Sequence, residues 1–226
     1  MNPIPSTFGR PRVLLPVIHP TSRDAAMRAL DVARESGADG VFLIDQGMEA
    51  EDVLWLLADR LRDQPDFWLG MNWLGRPPQR VVEEFFDYVE YGSVLPGGVW
   101  SDRAEALMDR GRWCGLYFGG VAFKYQPQPV DLREAVRLAR ADGVDVVTTS
   151  GPATGQPASL DKVLRFREAL GDRPLALASG VSAGNVRAFL PHVDAFLVAS
   201  SIERGFGVLD PDKVRQLADL VHGWSP

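Results

Sequence analysis

Cysteine is nearly missing from this sequence: Cys114 is the only one in 226 residues. A single thiol excludes an internal disulfide framework and a cysteine-ligated zinc site. Lysine is almost as scarce. Of 24 basic side chains, only Lys124, Lys162 and Lys213 are lysines; Lys162 and Lys213 fall on expected amphipathic helices and need no explanation, which leaves Lys124 as the informative one. Positive charge is the minority sign, with 30 acidic side chains and a net charge of −6. Without a basic cluster, nucleic acid is disfavoured as a partner, because phosphate backbones are bound through grouped Lys and Arg. The polybasic signal for anionic lipid is missing too. No apolar run approaches the ~20 residues of a membrane span. Residues 1–12 lack the apolar core of a secretory signal, and Pro3, Pro5 and Pro11 oppose the amphipathic helix of a transit peptide. The expected location is the cytoplasm, with 1–11 an arm leading into the first strand. Three histidines and scattered carboxylates do not make a metal site, so none is assigned. Nothing identifies a cofactor.

What is present is a repeated pattern. Short apolar runs at 13–18, 41–44, 67–71, 98–100, 115–123, 144–148, 175–178 and 195–199 are apolar on both sides of the pleat, as buried parallel strands are. Amphipathic helices are expected between them, at 22–35, 50–61, 78–88, 103–110, 131–140, 160–170, 183–190 and 211–221. Asp131, Ser159, Ser182 and Asp210 stand where N-caps belong, and Pro211 suits a first helical position. Eight units in this length average roughly 28 residues, near a minimal (β/α)8 barrel. Three strands open alike, at Asp39-Gly40-Val41, Asp145-Val146-Val147 and Asp194-Ala195-Phe196. A doubly wound open sheet is the competing architecture, but no G-x-G-x-x-G follows the first run. The reading is a single (β/α)8 TIM barrel in one domain over 1–226.

In such a barrel, chemistry sits at the C-terminal ends of the strands. The candidates there are His19, Asp45, Asn72, Trp73, Trp100, Asp102, Lys124, Ser150, Ser179, Gly180, Val181, Ser200 and Ser201. Backbone amides at Gly180, Val181, Ser200 and Ser201, after strands seven and eight, form the expected phosphate site, where glycine lets the backbone approach an anion. Alternatively, Ser182 is only a cap and Gly180 only a turn. Lys124 closes an apolar strand, which would point its ammonium into the mouth. Its open roles are anion contact, acid–base catalysis, Schiff-base amine, or a structural pair with Asp45 or Asp102. Asp45, Asp102 and His19 are the acid–base candidates. Trp73 and Trp100 either stack a planar ligand or pack the barrel top. Loop 149–157 is either a mobile lid or a rigid polar connection.

Several of these segments together resemble the BtpA/SgcQ family: Ile18-His19-Pro20, Gly98-Val99-Trp100-Ser101-Asp102, Thr148-Thr149-Ser150-Gly151-Pro152-Ala153-Thr154-Gly155, Ala178-Ser179-Gly180-Val181-Ser182-Ala183-Gly184-Asn185-Val186, and Phe196-Leu197-Val198-Ala199-Ser200-Ser201. The resemblance spans about 13–221 and is strongest after Val144. Segment 116–126 departs from the family pattern. The resemblance implies a phosphate-binding barrel of the ribulose-phosphate-binding group, and it brings no established reaction.

Two functions follow. The first is a metabolic enzyme binding a phosphorylated ligand, such as a sugar phosphate or nucleotide-like compound, with isomerisation, aldol-type cleavage or group transfer open. The alternative is a non-catalytic BtpA-like assembly or biogenesis factor. A ligand-sensing module is not separable from the first, and a homo-oligomer is left open.

Overall fold

The eight apolar runs become eight parallel strands because each is screened from water on both faces. A computed structural model describes residues 1–63, 66–88, 97–107, 109–111 and 113–225. The strands are β1 (Val13–Ile18), β2 (Gly40–Ile44), β3 (Trp68–Asn72), β4 (Gly98–Ser101), β5 (Leu116–Gly120), β6 (Val146–Ser150), β7 (Leu175–Ala178) and β8 (Ala195–Val198). They form a closed barrel in sequence order, sealed where Val13–Pro16 of β1 pair with Ala195–Val198 of β8. The α/β TIM-barrel expectation is met.

Alternation along the strands divides the apolar residues into two cores. Val13, Leu15, Val17, Phe42, Phe118 and Val146 belong to the interior. Leu14, Val41, Leu69, Tyr117, Val147 and Phe196 pack outward against the helices. Bulky rings fill the interior, and glycines make room for them. A Cβ on Gly70 would meet the Phe42 ring at 2.4 Å, and one on Gly98 would meet Trp68 at 2.5 Å. Phe42 stands edge-on to Trp68, Trp100 and Phe118.

The three matching strand openings share one device. Asp39, Asp145 and Asp194 each accept, through a carboxylate oxygen, the first free amide of the preceding strand, at Leu14, Tyr117 and Leu175 (2.7–2.8 Å). Each aspartate's own amide donates to the carbonyl of that same residue. An arginine seats each carboxylate: Arg10, Arg110 and Arg167. The repeat therefore satisfies backbone groups where a strand begins.

The helices are α1 (Ile4–Phe8), α2 (Arg23–Glu35), α3 (Ala50–Asp63), α4 (Pro78–Tyr88), α5 (Leu132–Ala141), α6 (Leu160–Leu170) and α7 (Pro211–His222). Side chains of Ser22, Asp131, Ser159 and Asp210 accept from first-turn amides of α2, α5, α6 and α7. Three expectations fail locally. Residues 103–110 do not form a helix among their described positions. Ala104 N donates to Gly120 O, Leu107 N to Asp142 O, and Glu105 N to the Tyr117 hydroxyl, so tertiary bonds outweigh helix propensity. Residues 183–190 make only a 3-10 turn at Val186–Ala188. There the Asn185 side chain accepts from Ser182 N and donates to Gly180 O, competing with helical bonding.

The N-terminal arm is the third. Its prolines do not prevent α1, because Pro3 and Pro5 occupy its cap and first turn, where a missing N–H costs nothing. Ile4 is fully buried in the interior core, and Phe8 lies 5.2 Å from Trp68, so α1 plugs the N-terminal end of the barrel. Ile4→Val is expected to lower stability by about 0.5–1.5 kcal/mol, the cost of one buried methylene. Chemical denaturation at constant m-value would measure it. Among the described residues, no helix is long and apolar enough to cross a membrane.

After β8 the chain makes a 3-10 turn at Ser200–Ile202 and a short hairpin, β9 (Glu203–Gly205) and β10 (Val208–Leu209).

Candidate functional site

The C-terminal rim gathers its polar residues in three places. The first is central and comes from β3 to β6. Asn72, in phase with the inward Trp68 and Gly70, is buried, and its Nδ2 donates to Asp102 Oδ1 at 3.3 Å. Burial raises the Asp102 carboxyl above the usual range, while the Lys124 charge and the Asn72 bond pull it back. Lys124 N donates to Ser150 Oγ at 2.7 Å, and Lys124 Nζ reaches Thr154 Oγ1 at 3.4 Å. Its ammonium influences Asp102 but makes no ion pair within 4 Å among the described residues. β6 extends two residues beyond the expected run, so Ser150 lies inside the strand and is fully buried.

The second place is the pair of loops after β7 and β8. Ser201 Oγ donates to Val181 O at 2.5 Å and ties them together. Among the described residues, the amides of Gly180, Val181, Ser200 and Ser201 donate to no protein acceptor. Ser179 and Gly180 both have positive φ, +65° and +68°, which turns the chain sharply there. A Cβ on Gly180 would meet Pro157 N at 2.2 Å, so the glycine serves close packing of loop 151–157. Hydrogen bonds tie that loop in the structure: Gln156 N donates to Ala153 O, Tyr125 N to Pro152 O, and Thr154 N to the Tyr125 hydroxyl.

The third place is the rim from β1 to β3. Asp45 Oδ1 accepts from Leu74 N at 2.6 Å, and burial raises this carboxyl despite that bond and the Arg76 charge. Asp45 lines a cleft of about 920 Å³ with Trp73, Arg76, Arg23 and Trp55. Trp73 is buried, and the Arg76 guanidinium lies 4.6 Å over its ring. Trp100 belongs to the interior stack, against Phe42 and Phe123. His19 packs on Phe206, with Nδ1 3.8 Å from Glu203 Oε1. The structure therefore unites Asn72, Asp102, Lys124 and Ser150, and sets Asp45 and His19 among other partners. Among the described residues, no group of three or more His, Cys, Asp or Glu could hold a metal ion.

Sequence reasoning missed Lys162. It lies on α6, and its Nζ donates to Ala122 O at 2.6 Å and Ser150 O at 2.7 Å. Burial lowers its ammonium from 10.5 to about 8. It ties the end of β6, at Ser150, to the loop just after β5, which leads to Lys124. A signal was present: Lys162 is the third residue of its helix, where the dipole disfavours a cation.

Comparison with known proteins supports this architecture. The sequence model of the BtpA family matches residues 127–223. An uncharacterized protein of Thermococcus kodakarensis, TK2179, is 25% identical over 223 residues, covering 87% of this chain and 85% of that one. Phosphoribosylanthranilate isomerase from Thermotoga maritima superposes with a TM-score of 0.64 at 18% identity, over 93% of this chain and 100% of its own. (S)-3-O-geranylgeranylglyceryl phosphate synthase from Thermoplasma acidophilum, solved with sn-glycerol-1-phosphate, gives 0.63 at 12% identity, over 99% of this chain and 100% of its own. At such identities the structural likeness concerns the fold. With β6 to α7 inside the matched segment and the barrel closed around it, the chain is a (β/α)8 barrel whose C-terminal part is similar to the BtpA family.

Proposed function

We propose that this chain binds a phosphorylated small molecule across the C-terminal mouth. The phosphoryl group rests on the amides of Gly180, Val181, Ser200 and Ser201, and Asp102 and Lys124 serve proton transfer. The observation that carries this reading is the four amides without protein acceptors in two tethered loops. Converging N–H groups on a sharply turned backbone favour an oxyanion. Asp102 adds the chemistry, because a carboxyl raised by burial exchanges protons closer to neutral pH. Lys124 supplies the compensating positive charge. The names of the two neighbours, an isomerase and a synthase bound to a glycerol phosphate, lend the reading support by analogy of fold.

A non-catalytic role is favoured by one observation, that these polar side chains already meet protein groups. Yet the Asn72–Asp102 and Lys124–Thr154 contacts are long, at 3.3 and 3.4 Å, and leave both charges with spare capacity.

The test is an amide-shift titration of labelled protein with inorganic phosphate and with ribulose 5-phosphate as a probe. Saturable shifts are expected at Gly180, Val181, Ser200 and Ser201. Lys124→Met should weaken the sugar phosphate about tenfold, a loss of about 1.4 kcal/mol, with Tm unchanged. Absence of saturable change at all four amides would reject the anion site. Equal affinity in Lys124→Met would remove the lysine from it.

A further inference from the structure

A second cavity of about 410 Å³ opens at the opposite end of the barrel. It lies where β6 and β7 begin and α5 and α6 end, and its size falls within the ~300–1,000 Å³ of small-molecule sites. We propose that this cavity is an anion site, in which Arg140 and Arg173 hold a doubly charged phosphoryl-type oxyanion.

Three arginines and one carboxylate line it: Arg110, Arg140, Arg173 and Asp145. Arg110 is already engaged. It donates to Asp145 at 2.6 Å, to Gly143 O at 2.7 Å and to Gly115 O at 3.1 Å. The same Asp145 oxygen accepts from Tyr117 N, so this pair belongs to the strand-opening device. Arg140 and Arg173 remain. Among the described residues, neither has a carboxylate within 4 Å, and neither side chain makes a hydrogen bond. Some surface arginines find acids, as Arg76 does with Glu84, Arg133 with Glu168 and Arg204 with Asp210, while others such as Arg28, Arg34 and Arg187 make no ion pair among the described residues but line no part of this cavity. What sets Arg140 and Arg173 apart is that two arginines without acids interact with each other and line one cavity.

The two also repel. Burial and the Arg173 charge both hold the Arg140 guanidinium below its ordinary value. An oxyanion between them relieves the repulsion, and guanidinium forks match phosphoryl oxygens in pairs. The C-terminal ends of α5 and α6 oppose an anion with about half a charge each, near the cavity but spread over carbonyls. Two full positive charges outweigh that.

The experiment is an amide-shift titration with inorganic pyrophosphate in buffer free of other phosphate and of sulfate. Saturable shifts at Gly143, Val144 and Arg173 are expected in the wild type. R140Q/R173Q should weaken that response at least about tenfold. Its spectrum without ligand and its Tm should match the wild type, and shifts at Gly180 and Ser201 should be unaltered. The amides at the two ends report separately, so failure of the mouth site and failure of this one are distinguishable. The proposal is overturned if Gly143 and Arg173 show no saturable shift, or if their response survives in R140Q/R173Q. It is also overturned if the double variant loses more than ~3 °C of Tm without ligand, because the arginines would then be serving the helix ends.

Discussion

Gly120→Ala is expected to be among the most damaging single-methyl additions to this protein. An ideal Cβ at Gly120 would stand 1.9 Å from Asp102 O and 2.4 Å from Asp102 C. Both are backbone atoms, so no side chain can swing aside. Relief needs a shift of the segment after β4, which also donates the Ala104 N–H to Gly120 O. Asp102 then leaves Asn72, and the central cluster comes apart. Overpacking of this kind costs about 1–3 kcal/mol, and a backbone clash belongs at the upper end. Tm should fall by about 4–12 °C for a chain of this length. Gly205→Ala is the control, since a Cβ there meets nothing within 4 Å, and it should stay within about 0.5 kcal/mol. Thermal denaturation of the pair decides the matter. Equal Tm values would mean that Asp102 is not held by close approach to β5.

Lys162→Met is the second. Methionine keeps the length of the side chain and removes its donors, which leaves Ser150 O and Ala122 O without the amine. Ala122 O keeps only a 3.5 Å contact from Thr149 Oγ1. Groups stripped of a partner cost about 1–3 kcal/mol each, so a loss of about 2–4 kcal/mol at pH 7 is expected. The pH dependence identifies the cause. The unfolded chain titrates this amine near 10.5 and the folded chain near 8. Between those values the unfolded chain holds more protons, so the contribution of Lys162 to stability rises as pH climbs from about 8. A neutral amine still has two N–H groups for its two carbonyls. Urea denaturation at pH 7, 8, 9 and 10 should therefore show a gap between wild type and Lys162→Met that widens with pH. Lys124 and Lys213 are common to both proteins and cancel. A gap that stays flat above pH 8 would mean the amine titrates at its ordinary value, and one that narrows would mean it titrates above it.

How legible was this protein? The strands were, because a run apolar on both faces has few other homes. The caps at Asp131, Ser159 and Asp210 were also legible, since each rests on contacts within three residues. The failures share a cause. Residues 103–110 are good helix formers, yet their amides are claimed by Gly120, Tyr117 and Asp142, up to 35 residues away. Lys162 fits an amphipathic helix, and only the packing of α6 against the barrel brings it to the carbonyls of Ala122 and Ser150. The three strand-opening aspartates stood out as a recurrence, but their purpose needed the pairing partner of each strand.

The sequence by itself determined an eight-strand (β/α) barrel with a polar C-terminal rim, because hydrophobic period and strand-end chemistry are local properties of the chain. Which rim residues meet was decided by tertiary structure alone. Closure of β1 on β8 and the register of β3 to β6 place Asn72, Asp102, Lys124 and Ser150 together. The same closure sends His19 to Glu203 and Asp45 to Leu74. It also leaves Arg140 and Arg173 facing one cavity at the far end. These meetings join residues separated by tens of positions, and the physics that selects them is the packing of a whole barrel rather than the preference of any segment.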